Sequence, residues 1–228
     1  MIVLGLTGSI GMGKSTAAGM LRRLGLPVHD ADATVHRLME RGGAAVAPIA
    51  AVFPDVVMDG RVDRPLLGAR VFEDPPALAR LEAIVHPLIG WETMTFLARC
   101  RRCRARLVVL DVPLLLEGRG HERCDLVTVI SAPRFIQRQR VLGRAGMTES
   151  RLRAILAKQM PDAEKRRRAD VVIHSGLGRA STVRQLTKLA RRLQRGDRSI
   201  CVKLSSTRRR RAWIPTPATG SSRLVALS

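Results

Sequence analysis

Eight residues near the N-terminus, Gly8-Ser9-Ile10-Gly11-Met12-Gly13-Lys14-Ser15, restrict the fold more than any other feature of this chain. They fit the spacing G-x-x-x-x-G-K-[ST], in which backbone N–H groups cradle a phosphate, the lysine reaches the outer phosphates and the hydroxyl suits Mg²⁺. Ile2, Val3, Leu4 and Leu6 read as a buried strand before this loop. The stretch from Ser15 to Leu24 reads as a helix after it, with Met20, Leu21 and Leu24 on one face. Glycine permits positive φ and presents no Cβ to a bound anion, while the helix N-terminus adds partial positive charge. A strand, loop and helix in this order form a nucleoside-triphosphate phosphate site. Gly8, Gly11, Met12, Gly13, Lys14, Ser15 and Thr16 are its candidate ATP ligands, with Ser15 also on the metal.

Further apolar runs predict what the loop is attached to. Residues 2–6, 27–30, 106–112, 125–130 and 170–174 read as five strands of one parallel sheet, separated by amphipathic helical patterns. The fold class is therefore α/β and doubly wound. Between the second and third runs, residues 31–105 are mostly helical in pattern and broken by prolines, too long for a simple crossover, so an inserted helical subdomain is expected. Residues 134–166 form an Arg-rich segment, with a helix predicted to start at Thr148-Glu149 and hinge positions at Gly143 and Gly146. Residues 1–196 then make one domain. Residues 197–228 lose periodicity, gain Pro, Ser and Thr, and carry the run Arg208 to Arg211; a basic, disordered tail is expected.

Charge bears on the partners. The chain has a net charge of +21, which raises nucleic acid as a partner. Its distribution points elsewhere: residues 134–168 hold eleven basic side chains against three acids, and residues 197–228 hold seven against one. With no Tyr and 3% aromatic residues, the chain lacks stacking platforms for single strands. Anion sites for polyphosphate substrates are the better reading, with weak nucleic-acid binding expected of the tail alone. Cys100-x-x-Cys103 with His121 and Cys124 has zinc-like spacing, but a core-strand pattern lies between the pairs, so reduced thiols are expected. No run reaches the length of a membrane span and no signal peptide is evident, so the expectation is a cytoplasmic protein.

A phosphate loop serves kinases, GTPases and ATPase motors. Guanine readout in GTPases uses an Asn-Lys-x-Asp motif, and this chain contains no Asn. A small-molecule kinase needs a phosphate loop, an acceptor-binding insert and an arginine-bearing lid, and segments suited to all three are present. Asp111 ends the strongest apolar strand, where a carboxylate beside Mg²⁺ is useful, although a strand-end cap is an alternative. Asp32 follows the second strand; it suits the handling of an acceptor proton or, alternatively, the N-cap of the next helix. Asp30 either joins the metal shell or ends its strand.

The motifs GLTGSIGMGKS, HDADATVHRL, GRVDR, LEAIVHPLI, DVPLLLE, RQRVLGRAGM and KQMPDAEKRRRADVVI, in that order, resemble those of dephospho-CoA kinases over about residues 1–195. The resemblance implies a P-loop kinase that moves the ATP γ-phosphoryl to the 3′-hydroxyl of the ribose of dephospho-CoA. It implies Lys14, Asp32 and Arg140 as catalytic, and Arg144 as a further ATP contact. Arg140 and Arg144, four apart, are expected on one helical face. Arg64, His86 and Leu114 would join Asp32 at the acceptor, and Asp111 would join Ser15 at Mg²⁺, the implied cofactor with ATP as co-substrate. His86-Pro87 alternatively caps or packs a helix end. A monomer or small homo-oligomer is expected.

The chain departs from the family pattern twice. Gly90 stands where an Arg usually follows the His-Pro motif, so Arg64 or Arg61 would supply that acceptor contact. His174-Ser175-Gly176 replaces the usual Asp-Asn after the last strand, so base contacts there would run through backbone groups. Two rivals remain at this point: another P-loop nucleotide or nucleoside kinase, and an ATP-regulated nucleic-acid-binding protein.

Overall fold

A computed structural model describes residues 1–72 and 74–196; the expected tail at 197–228 lies outside the described residues. The chain opens with β1 (Ile2–Thr7), α1 (Lys14–Arg23) and β2 (Val28–Asp30). There follow α2 (Ala31–Met39), α3 (Val46–Val52), β3 (Val57–Met58), β4 (Arg61–Val62), α4 (Arg64–Phe72) and α5 (Pro75–Arg102). The remainder runs β5 (Leu107–Asp111), β6 (Leu126–Ser131), α6 (Arg134–Leu142), α7 (Glu149–Lys158), α8 (Asp162–Arg168), β7 (Val171–His174) and α9 (Arg179–Gln194). Two compact units result: residues 1–29 with 100–196, and Asp30–Arg99.

The first unit is built on the parallel sheet, in the order β2-β5-β1-β6-β7. Each strand lies within one residue of the apolar run that predicts it. Continuous rather than alternating apolar runs are what a sheet covered on both faces requires, and every residue of β5 and β6 is buried. Two aspartates fix the register of neighbouring strands. Asp125 and Val3 exchange N–H bonds, Val3 N to Asp125 Oδ2 at 2.8 Å and Asp125 N to Val3 O at 2.8 Å. Asp170 clamps Val127 in the same way, at 2.7 and 2.9 Å. A one-residue slip of either strand would break two bonds and turn its side chains to the other face.

From β1 the chain leads to β2 on one side of the sheet, while adjacent β6 leads to β7 on the other. Chain paths diverge beyond the carboxyl ends of β1 and β6, the place where open α/β sheets bind ligands. The loop at residues 8–13 occupies that end of β1. On one face of the sheet α1 packs against α9. Thr182, Leu186, Leu189, Ala190 and Leu193 of α9 are buried at helical spacing, with Ala17, Ala18, Met20 and Leu21 of α1.

The second unit has its own apolar core, including Val35, Ile49, Phe53, Leu67, Leu81 and Val85. It is not wholly helical: β3 and β4 form a small antiparallel hairpin in which Val57 pairs with Val62. The turn is made by Asp59 and Gly60, both at positive φ (50° and 73°), the pairing of residue types that two-residue hairpins favour. Periodicity does not reveal a strand of two residues. Helix α5 runs through Pro87, so His86-Pro87 lies inside a helix and caps no helix end. An interior proline costs about 3 kcal/mol, and α5 buries Ala77, Leu81 and Val85 just before it, apolar burial that offsets the cost.

Candidate active site

The phosphate loop is shaped by its neighbours as much as by any future ligand. A Cβ on Gly8 would stand 2.7 Å from the Ile130 carbonyl oxygen, so this glycine is required by the approach of the loop to β6. Gly11 has φ +75°, and a Cβ there would meet Val141 Cγ2 at 2.5 Å. Gly13, at φ +90°, is the residue before α1. Positive φ therefore explains Gly11 and Gly13, and close packing explains Gly8.

Lys14 begins α1, and its Nζ lies 2.7 Å from Asp111 Oδ1, the last residue of β5. The side chains are 12% and 2% exposed. Parallel pairing of β1 with β5 places Leu6 opposite Asp111, so the sheet register itself brings the carboxylate beside the loop. Removing one partner from such a pair leaves a buried charge, at a cost of about 3–5 kcal/mol. Ser15 and Thr16 are exposed on the first turn of α1. Leu114, in the segment after β5, is half-buried, whereas Leu115 and Leu116 are core.

The Arg-rich segment docks on the same loop. Gln137 Nε2 donates to the Ile10 carbonyl at 2.8 Å, and the Ile10 N–H donates to Gln159 Oε1 at 3.1 Å. Arg140, in the last turn of α6, donates from Nη2 to the Ser175 carbonyl at 2.9 Å. It also donates from Nη1 to Ser175 Oγ at 3.1 Å, and more weakly to the Gly11 carbonyl at 3.5 Å. Arg144 does not share a helical face with Arg140. The helix ends at Leu142 with Gly143 as its C-cap, and Arg144 is exposed in the turn that follows, its N–H on the Val141 carbonyl. Glycine and the turn stop the helix two residues short of Arg144, so the expected i,i+4 pair does not form. Helix α7 starts where its sequence predicts, with Thr148 accepting from Arg151 N at 3.2 Å.

A buried ion pair anchors the far end of this segment. Lys165 of α8 has no exposed side-chain surface, and its Nζ lies 2.8 Å from Glu117 Oε1, which also accepts from Met160 N at 3.0 Å. Ser131 at the end of β6 donates to Asp162 Oδ2 at 2.8 Å. Sequence reasoning attached no structural duty to Ser175, Gln137, Gln159 or Lys165. Their signal is tertiary: each meets a partner distant in sequence.

Within the second unit, the N-cap of α2 is Asp30, whose Oδ1 accepts from Ala33 N at 3.0 Å. Asp32 lies in the first helical turn, half-buried, so it is not the cap. Arg64 Nη1 donates to His36 Nδ1 at 2.9 Å, and Asp63 Oδ1, just before α4, accepts from Leu66 N at 2.9 Å. His86 is half-buried on α5. The structure thus brings Lys14, Ser15, Asp111 and Arg140 to one end of the sheet, and places Asp32, Arg64 and His86 on three helices of the other unit.

Known proteins give this arrangement its family. The dephospho-CoA kinase family model matches residues 2–178. The chain is 69% identical over 166 residues to a dephospho-CoA kinase of Paramagnetospirillum magneticum, covering 73% of this chain and 78% of that one. It is 56% identical over 186 residues to one of Rhodospirillum rubrum, covering 81% and 88%. Among solved structures, TT1252 from Thermus thermophilus matches with a TM-score of 0.74 and 37% identity over 83% of this chain and 95% of that one. The dephospho-CoA kinase from Campylobacter jejuni shares the fold, with a TM-score of 0.66 and 23% identity over 86% and 98%. With its phosphate loop, its Lys14–Asp111 pair and these relatives, the chain belongs to the dephospho-CoA kinase family.

Proposed function

We propose that residues 8–16 hold ATP and that the chain moves the γ-phosphoryl to the 3′-hydroxyl of the ribose of dephospho-CoA, giving coenzyme A and ADP. The observation that supports this most is the contact of Lys14 with Asp111 beside a complete phosphate loop in a member of this family. Backbone N–H groups of the loop and Lys14 neutralise the outer phosphates. Asp32 accepts the 3′-hydroxyl proton or orients that hydroxyl, and as the second unit's N-cap is Asp30, its carboxylate is not needed for that duty. The acceptor oxygen bonds to the γ-phosphorus as the bond to the β–γ bridging oxygen breaks, and ADP leaves. Arg140 and Arg144 carry positive charge towards the phosphates, as does Lys14. Arg140 spends three N–H groups on Ser175 and Gly11, leaving two of a guanidinium's five. Arg64, His86 and Leu114 are the proposed acceptor contacts.

The donor set suits Mg²⁺. Among the described residues no group of three or more His, Cys, Asp or Glu side chains could form a closed metal cage. Mg²⁺ is commonly held by one or two protein groups plus substrate phosphates and waters, which Ser15 and Asp111 fit. Ser15 and Asp111 would hold the ion, which would supply positive charge to offset the charge developing on the transferred phosphoryl.

Among the described residues no helix is long and apolar enough to cross a membrane; a cytoplasmic setting and a monomer or small homo-oligomer are part of the proposal. The direct test follows ADP release from ATP·Mg²⁺ with dephospho-CoA, then with AMP, CMP and adenosine as acceptors. ADP formed only with dephospho-CoA, with equal coenzyme A, supports the reading; ADP formed with a nucleotide acceptor overturns the substrate.

A further inference from the structure

Three bonds converge on Ser175. Its Oγ donates to the Met12 carbonyl at 2.6 Å, a buried contact across 163 residues of sequence. The same Oγ accepts from Arg140 Nη1, and the Ser175 carbonyl accepts from Arg140 Nη2. A serine hydroxyl has one proton and a guanidinium has no acceptor, so the direction of the chain is fixed: Arg140 donates to Ser175, and Ser175 donates to Met12.

Met12 lies between the two positive-φ glycines, Gly11 and Gly13. With Gly13 on its C-terminal side, the Met12–Gly13 peptide plane is less restrained there than between two residues that carry a Cβ. No cis peptide is present, and in a trans peptide the N–H points opposite to the preceding C=O. Holding the Met12 carbonyl on Ser175 therefore turns the Gly13 N–H away from Ser175, and that N–H has no protein acceptor among the described residues. A residue 6% exposed thus sets the direction of one of the amides that form the phosphate nest.

We infer that Ser175 is a positioning residue: through its hydroxyl it aims the Gly13 amide at the β-phosphate and fixes Arg140 beside the loop. This inference rests on the reading of residues 8–16 as the ATP site. The group recognised is a nucleoside di- or triphosphate, and the benefit of Ser175 is confined to the phosphates.

The test uses the full chain and two variants, Ser175→Ala and the near-isosteric Ser175→Cys, whose thiol is a poor donor. Binding of ADP·Mg²⁺ and of adenosine is measured by calorimetry or equilibrium dialysis, with Lys14→Ala as a control. Both Ser175 variants are expected to weaken ADP by about tenfold and adenosine by less than about twofold, the loss of one hydrogen bond that serves a charged ligand. Parental ADP affinity in either variant, or equal losses for ADP and adenosine, overturns the inference. If Lys14→Ala also leaves ADP binding intact, the phosphate-loop reading itself has failed. If only Lys14→Ala weakens ADP, the loop reading stands and the role of Ser175 falls.

Discussion

Lys14 at the start of α1 and Asp111 at the end of β5 meet at 2.7 Å, 97 residues apart in sequence. The pairing joins the lysine proposed for the phosphates to the carboxylate proposed for Mg²⁺. It also makes each group depend on the other in the resting protein, because Asp111 is almost wholly buried.

Replacing Lys14 with Ala should affect both catalysis and folding. Turnover should fall by at least about a hundredfold, the scale of losing one charge-stabilising group. Stability should fall by about 3 kcal/mol because Asp111 loses its counter-charge, or roughly 6–12 °C in the unfolding midpoint for a chain of this size. Steady-state rates and a thermal melt read both effects. An unchanged midpoint with near-normal turnover would remove Lys14 from both roles.

Asp30 and Asp32 should separate cleanly. Asp30→Ala removes the N-cap of α2 and should cost about 1 kcal/mol of stability. Asp32→Asn should leave the melt within about 2 °C while lowering kcat by about 10²–10⁴-fold, the usual range for a proton-handling group. Retained turnover in Asp32→Asn would assign the acceptor role elsewhere.

Glu117 and Lys165 offer a test by double-mutant cycle. Lys165→Met alone leaves Glu117 without its buried cation, at about 3–5 kcal/mol. Adding Glu117→Gln keeps the acceptor for Met160 N and removes the charge, so the double variant should recover a good part of the loss. Simple additivity would show that the pair is not coupled.

Gly11→Ala places a Cβ 2.5 Å from Val141 and forces positive φ on an L-residue. The φ strain alone amounts to about 1–2 kcal/mol, and α6 must move to relieve the contact. ATP affinity should fall more than in Gly13→Ala, where the nearest atom is 3.4 Å away, as measured by nucleotide titration of the two variants. Equal effects would mean that φ, and not α6, governs the loop.

How far the sequence carries can be judged element by element. The five sheet strands were legible because a doubly covered sheet demands unbroken apolar runs, and those runs leave little choice. The β3–β4 hairpin was not, because two-residue strands have no periodicity to detect. The helix start at Thr148 could be read from its capping residue. The end of α6 before Arg144 turned on a glycine cap that spacing alone does not distinguish from a helical i,i+4 pair.

The same division holds at the candidate site. By itself the sequence determined the parallel α/β core and the phosphate loop, since local spacing of Gly, Lys and Ser dictates the nest and apolar runs dictate the strands. Only the tertiary structure decided that Asp30 and not Asp32 caps α2, that Asp111 faces Lys14, and that Ser175 links Arg140 to Met12. The Lys14–Asp111 and Ser175–Met12 contacts depend on strand register and loop packing across 97 and 163 residues of chain, and such distant bonds leave no periodic trace in sequence; the Asp30 cap is local, but two aspartates two residues apart offered the same role.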